Sequence, residues 1–153
     1  MLEKKPRVLF VDPEMCWHLR LCDALTNVGF EVIQLNDLNK ALEKLCQRGV
    51  EIDVIVTELM LPHGADYDVW KQADPSIDNH LGGLVLMKLI RQTIHCEHFP
   101  VRVPAYIPII VLTAKIITRY FRQDQLDPLS PCAVLDKPIF ESYFVATVQS
   151  ALS

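Results

Sequence analysis

A chain of 153 residues is the size of one domain and long enough to bury one substantial core. With 50% hydrophobic and 22% charged residues it is not a disordered chain. A net charge of −4, without any run of like charges, excludes a phosphate-tracking basic surface, so no direct nucleic-acid ligand is expected. The opening MLEKKPRVLFVD reaches an acid too early for a signal peptide, and no apolar run approaches membrane-spanning length. Cys16, Cys22, Cys46, Cys96 and Cys132 are odd in number, scattered and free of any CxxC pair, so reduced thiols and a cytoplasmic location are expected.

The elements alternate. Arg7–Val11 (RVLFV) is a continuous apolar run of the kind a strand buried on both faces shows. Met15–Asn27 carries Leu19, Cys22 and Leu25 at helical spacing and meets Gly29 where a helix would stop. Glu31–Leu35 reads as a second strand; Asn36 or Asp37 can cap the helix Leu38–Arg48, which Gly49 ends. Asp53–Thr57 is a third strand, Gly83–Gln92 a helix and Ile107–Leu112 a β-branched fourth strand. Ala114–Gln125 is expected to be helical, Ala133–Leu135 a fifth strand, and Phe140–Leu152 a closing amphipathic helix. The pattern predicts one α/β domain over 1–153: a doubly wound five-stranded parallel sheet with helices on both faces. Two stretches break the rhythm. An insertion at about 63–82 (HGADYDVWKQADPSIDNHLG) leaves the third strand's carboxyl end, and a longer loop at about 95–106 (HCEHFPVRVPAY) precedes the fourth strand.

In open parallel sheets, function collects at the carboxyl ends of the strands. There the sequence places Asp12 and Glu14 after the first strand, Glu58 after the third, Thr113 after the fourth and Lys137 after the fifth. Any one of these is an ordinary strand-end polar residue; together they put acids, a hydroxyl and an ammonium on one edge.

These residues resemble the receiver domain of two-component response regulators, over nearly the whole chain. VLFVDPE stands where that family ends its first strand in paired acids, and IDVIVTELMLP puts Glu58 in the position of the phospho-accepting Asp. IIVLTA matches the family's fourth-strand Thr-Ala at Thr113 and Ala114, and VLDKPIF its Lys-Pro at Lys137 and Pro138, with Pro138 a candidate for a cis peptide bond. The resemblance implies the flavodoxin-like receiver fold. It also implies acids that hold magnesium, a Thr and a Lys that hydrogen-bond the phosphoryl oxygens, and a switch read out at a distance. The partners it implies are a histidine kinase, an output domain or another receiver, with homodimerisation through the face of the helices that follow the fourth and fifth strands.

Three departures bear on mechanism. Glu58 replaces the acceptor Asp, and its extra methylene carries the carboxylate roughly 1.5 Å further, which spoils in-line transfer. Pro13 stands where the family has a metal-ligating acid, so magnesium binding is expected to be weak; Asp12, Glu14 and Glu58 are the candidate ligands. Val134 replaces the aromatic that changes rotamer on activation. Three crowded acids repel by about 4 kcal/mol per pair near 4 Å at an effective dielectric of about 20. Lys137 is the visible compensation, so a direct or water-bridged Glu58–Lys137 ion pair is expected, with Thr113 close by. Such a pair partly imitates a phosphoryl group. The expected function is therefore a receiver-like domain acting through protein–protein contacts, independent of phosphorylation and not an enzyme. A phosphate-accepting receiver in a relay and a metal- or small-ligand-binding α/β module are the alternatives.

His95, Cys96 and His98, with His63 and His80, could hold zinc or copper, but no second ligand pair has suitable spacing. Asp66, Asp68, Asp74 and Asp78 could offer oxygens from a lid over the Glu58 pocket, and Tyr67 and Trp70 could meet a partner. The sheet is also similar to that of flavodoxins, yet DPEMCW lacks a hydroxyl-rich phosphate cradle, and no output domain is expected within these 153 residues.

Overall fold

The computed structural model describes residues 3–65, 67–73, 81–114 and 123–153. Its strands are β1 (Arg7–Val11), β2 (Glu31–Leu35), β3 (Val54–Thr57), β4 (Ile109–Ala114) and β5 (Ala133–Lys137). All pair in parallel, in the order β2-β1-β3-β4-β5. The helices are α1 (Met15–Asn27), α2 (Leu38–Leu45), α3 (Tyr67–Ala73), α4 (Gly82–Ile90), the short α5 (Gln123–Leu126) and α6 (Glu141–Ala151).

Strand alternation sends neighbouring side chains to opposite faces. Val8 and Phe10 of β1 join Val54 and Val56 of β3 against Leu21, Cys22 and Leu25 of α1 and Phe144 and Val148 of α6. The rings of Phe10 and Phe144 meet with centroids 5.7 Å apart. Leu9 and Val11 turn the other way, with Ile55, Ile109 and Val111, onto Leu38, Leu42 and Leu45 of α2 and the apolar run of α4. Helices thus cover both faces, and the central strands have no wet side, which is why they read as continuous apolar runs.

Local signals set several boundaries. Asp37 caps α2, its Oδ1 accepting from the Lys40 amide at 2.7 Å. Gly29 takes φ +100 after α1, letting the Phe30 amide turn back to the Leu25 carbonyl at 3.1 Å. Elsewhere the structure corrects the sequence reading. The buried stripe of α1 is Leu21, Cys22 and Leu25, while Leu19 is largely exposed. The second helix stops at Leu45 rather than Arg48, with Cys46 as its cap residue. The third strand starts at Val54, not Asp53, whose carboxylate instead accepts from the Arg7 amide at 2.7 Å.

The fourth strand runs two residues later than expected. Pro108 has no amide to give the ladder but accepts from Ile55 at 2.9 Å, so regular pairing begins at Ile109 and continues through Thr113 and Ala114. Ala114 is therefore strand, and 115–122 of the expected fourth-strand helix lie outside the described residues. The fifth strand likewise extends to Lys137. The insertion contains α3, a helix that its many polar residues concealed. Segment 95–106 has no helix or strand.

Candidate functional site at the strand ends

Register brings the site together. Val11 of β1 pairs with Thr57 of β3, so the next residues, Asp12 and Glu58, emerge side by side. This is where the strand order reverses, since the chain goes from β1 outward to β2 and then back across to β3. Main-chain bonds hold both residues: the Asp12 amide donates to Leu35 at 2.9 Å and the Glu58 amide to Val11 at 3.0 Å. Thr113 lies near the end of β4, and Lys137 ends the edge strand β5, paired in register with Ala114. Lys137 belongs to an edge strand two places from β3, and its long stem spans that gap.

The cluster is nearly dry: Thr113 is 0% exposed, Asp12 2% and Glu58 5%. The Lys137 ammonium lies 2.7 Å from Asp12 Oδ2 and 2.8 Å from Glu58 Oε2. Glu58 Oε1 accepts from the amides of Leu59 at 2.8 Å and Met60 at 3.2 Å, and from the Thr113 hydroxyl. Asp12 Oδ1 accepts from the Glu14 amide at 2.8 Å. Glu58 thus gives one oxygen to neutral donors and the other to Lys137, while Asp12 offers Oδ1 to the Glu14 amide and Oδ2 to Lys137. Burial alone would pull the pKa of Lys137 down. Its hydrogen bonds to Asp12 and Glu58, with their charges, outweigh that, so it ends above the ordinary 10.5. The Lys137–Pro138 peptide is cis.

Asp12, Glu58, Thr113 and Lys137 thus converge, with Lys137 shared between two acids rather than held by Glu58 alone. Glu14 departs from the expected acid pocket. Its amide serves the cluster, but its side chain is exposed and lines an adjoining cavity of about 570 Å³ together with Arg20, Leu21 and Pro138. Among the described residues no three His, Cys, Asp or Glu side chains gather as a metal-binding group. His95 and His98 are exposed, His63 is buried, and Val134 is half-buried against the core. Asp66, Asp74, Asp78 and His80 lie outside the described residues.

Three contributors escaped the sequence reading. The amides of Leu59 and Met60 are main chain and leave no residue signature. Gly82 and Gly83 bring α4 against the turn after Glu58, donating to the carbonyls of Leu61 at 3.0 Å and Leu59 at 3.1 Å. A Cβ on Gly83 would stand 2.0 Å from the Glu58 carbonyl oxygen, so the Gly-Gly pair was the available clue. Arg91 donates to the carbonyls of Leu129 and Ala105 at 2.8 Å and of Ile107 at 2.6 Å, tying the segment before β4 to the turn before β5. On the other side, the outgoing limb of the insertion is fixed to α2, whose Leu38 and Asn39 amides donate to Pro62 at 2.9 Å and His63 at 3.2 Å.

A five-stranded parallel sheet in this order, with acids at its reversal point, is the doubly wound fold of receiver domains. Solved structures agree. The chain is similar to a putative response regulator from Chloroflexus aurantiacus (23% identity, TM-score 0.68, covering 97% of this chain and 98% of that one). It is also similar to the chemotaxis response regulator CheY4 of Vibrio cholerae (19%, TM-score 0.67, 97% and 100%). A third is the non-phosphorylated HemR receiver domain from Leptospira biflexa (21%, TM-score 0.63, 97% and 95%). No protein-family model and no curated protein matches the chain. Among the described residues no helix is long and apolar enough to cross a membrane.

Proposed function

We propose that this chain is a receiver-type signalling domain that acts through protein–protein contacts and does not depend on phosphorylation at its acceptor position. The observation that carries this reading is the set of donors on Glu58: the Thr113 hydroxyl, the Lys137 ammonium and two main-chain amides. The receiver resemblance assigns that same hydroxyl and ammonium to phosphoryl oxygens. Here a carboxylate with a longer stem folds back and takes them, holding permanently what a phosphoryl group would hold transiently. It does so incompletely, with one charge and two oxygens.

The donor set does not suit magnesium. An octahedral ion needs six oxygens at about 2.0–2.1 Å. Pro13 supplies none from its side chain, Glu14 faces outward, and the two convergent oxygens, Asp12 Oδ2 and Glu58 Oε2, both already meet Lys137. No catalytic step is assigned to the cluster. The partners of this reading are a histidine kinase, an output domain or another receiver, or a second copy through the face of α6 and the helix expected after β4, in the cytoplasm. The insertion leaves at His63, five residues after Glu58, and at its return Gly82 and Gly83 donate to the carbonyls of Leu61 and Leu59, which supports a role beside the pocket, limiting small phosphodonors.

The test is incubation of the intact chain with acetyl phosphate and magnesium, followed by intact mass. The expected result is no added phosphoryl group. An adduct that disappears in Glu58→Gln would overturn the reading and restore the phosphate-accepting alternative.

A further inference from the structure

Cys46 and Cys96 are far apart in the chain, yet both are free, half-buried thiols, and both sit where segment 95–106 is fastened to the end of α2. Cys46 is the cap residue of α2, its amide bonded to the Leu42 carbonyl at 2.9 Å. Arg102 clamps the segment there: its amide donates to the Leu45 carbonyl at 2.9 Å and its Nε to the Cys46 carbonyl at 2.8 Å. A turn brings Cys96 round toward that clamp, the Phe99 amide donating to the Cys96 carbonyl at 3.2 Å. Cys96, Phe99 and Val101 pack on the core cluster that contains Leu42 and Leu45 of α2. We propose that Cys46 and Cys96 form a reversible disulfide under peroxide, so that oxidation staples segment 95–106 to α2.

The two thiols differ in access and in acidity. Cys96 lines a surface cavity of about 320 Å³ with Gln92, Ile94, His95 and Glu97, so a small oxidant reaches it. Burial pushes the Cys46 thiol above its ordinary 9.0; Arg102 opposes this, and the charge of a Cys96 thiolate adds to it, as it does only when the two sulfurs are neighbours. Cys46 therefore stays protonated while Cys96 reacts first. The Cys96 thiolate attacks one oxygen of hydrogen peroxide; the O–O bond breaks, hydroxide leaves and a sulfenic acid forms. The Cys46 sulfur then attacks the Cys96 sulfur, the S–O bond breaks, and the hydroxyl leaves as water with the Cys46 proton. The two sulfurs give up two electrons and the peroxide takes them. Cys22 is set apart, buried on the other face of the sheet with its thiol pushed up by burial to about 11. The proposal goes beyond the signalling reading and stands whether or not Glu58 accepts a phosphoryl group.

The experiment treats the reduced full chain with hydrogen peroxide, blocks the remaining thiols with iodoacetamide, and maps the cysteine peptides without reductant. A disulfide tolerates little error in spacing, so the map tests the placement directly. The expected map contains a Cys46–Cys96 linked peptide that dithiothreitol removes. Because the link closes a long loop in the unfolded chain, the oxidised protein should melt about 5–10 °C above the reduced one. Cys46→Ser should lose both effects and leave Cys96 as a sulfenic acid that dimedone traps; Cys96→Ser should give neither link nor dimedone adduct at Cys46. Links between other cysteines alone overturn the proposal, as does Cys96 carried to sulfinic acid with Cys46 still alkylated, or a linked chain whose midpoint does not rise. The wild-type map decides the matter even where a variant does not fold.

Discussion

Replacing Lys137 by Ala removes the only ammonium described in the cluster and leaves both acids where their main-chain partners hold them. Unit charges 2.8 Å apart attract by about 6 kcal/mol at an effective dielectric of about 20, and desolvation offsets much of that. Taking one partner from a buried pair costs about 3–5 kcal/mol, since the remaining charge is left uncompensated. Lys137→Ala should therefore lose about that much at neutral pH. Glu58→Gln keeps the shape and the acceptor oxygen for Leu59, Met60 and Thr113 but removes one of two like charges. In the Lys137→Ala background it should recover part of the loss. The double-mutant cycle should give a Glu58–Lys137 coupling of about 1–3 kcal/mol, read from urea midpoints at unchanged m. A coupling indistinguishable from zero would refute the ion pair and, with it, the substitution of Glu58 for a phosphoryl group. The pH dependence has a defined sign. Lys137 holds its proton more tightly folded than unfolded, so its contribution is complete below the ordinary 10.5 and is lost as pH rises through the higher folded value. Urea midpoints of wild type and Lys137→Ala should converge in that alkaline range; a gap that stays constant counts against the assignment.

Further expectations concern the supports of the site. Gly83→Ala would force a Cβ to within 2.0 Å of the Glu58 carbonyl, a main-chain atom, and should cost more than about 3 kcal/mol in urea; a neutral result would mean α4 docks differently. Arg91→Met strips charged donors from three half-buried carbonyls and should cost about 2 kcal/mol by the same assay; a neutral result would mean these contacts do not brace the turn before β5. Asp37→Ala removes the α2 cap and should cost about 1 kcal/mol, a loss that Asn at the same position should largely avoid. Pro13→Asp adds an acid beside Asp12 and should strengthen a magnesium binding expected to be weaker than millimolar, measured by calorimetry; a tight site already present in the unmodified chain would contradict that expectation.

Much of the fold was written in local pattern. Short apolar runs at Arg7–Val11 and within Asp53–Thr57 read as strands covered on both faces, the second starting one residue later than its pattern suggested, and Met15–Asn27 and Asp37 carried their helix signals within a few residues. The acids after the first and third strands were legible for the same reason, because a polar residue that ends an apolar strand lies at the sheet's edge. What surrounds them was not. Whether Asp12 and Glu58 are neighbours depends on the pairing of Val11 with Thr57, 46 residues apart in the chain, and register is a property of the assembled sheet. Side-chain direction lay equally beyond pattern: Glu14 turns outward although it follows the same strand as Asp12, and Lys137 is shared between two acids rather than paired with one. The helix Tyr67–Ala73 was hidden among turn-forming residues, and the amides that hold Glu58 have no side chain to announce them. Sequence determined which elements form and which polar residues end them, since those follow from burial along one strand or helix. Only the tertiary structure decided which charges meet, because that depends on distances between strands that the chain itself places far apart.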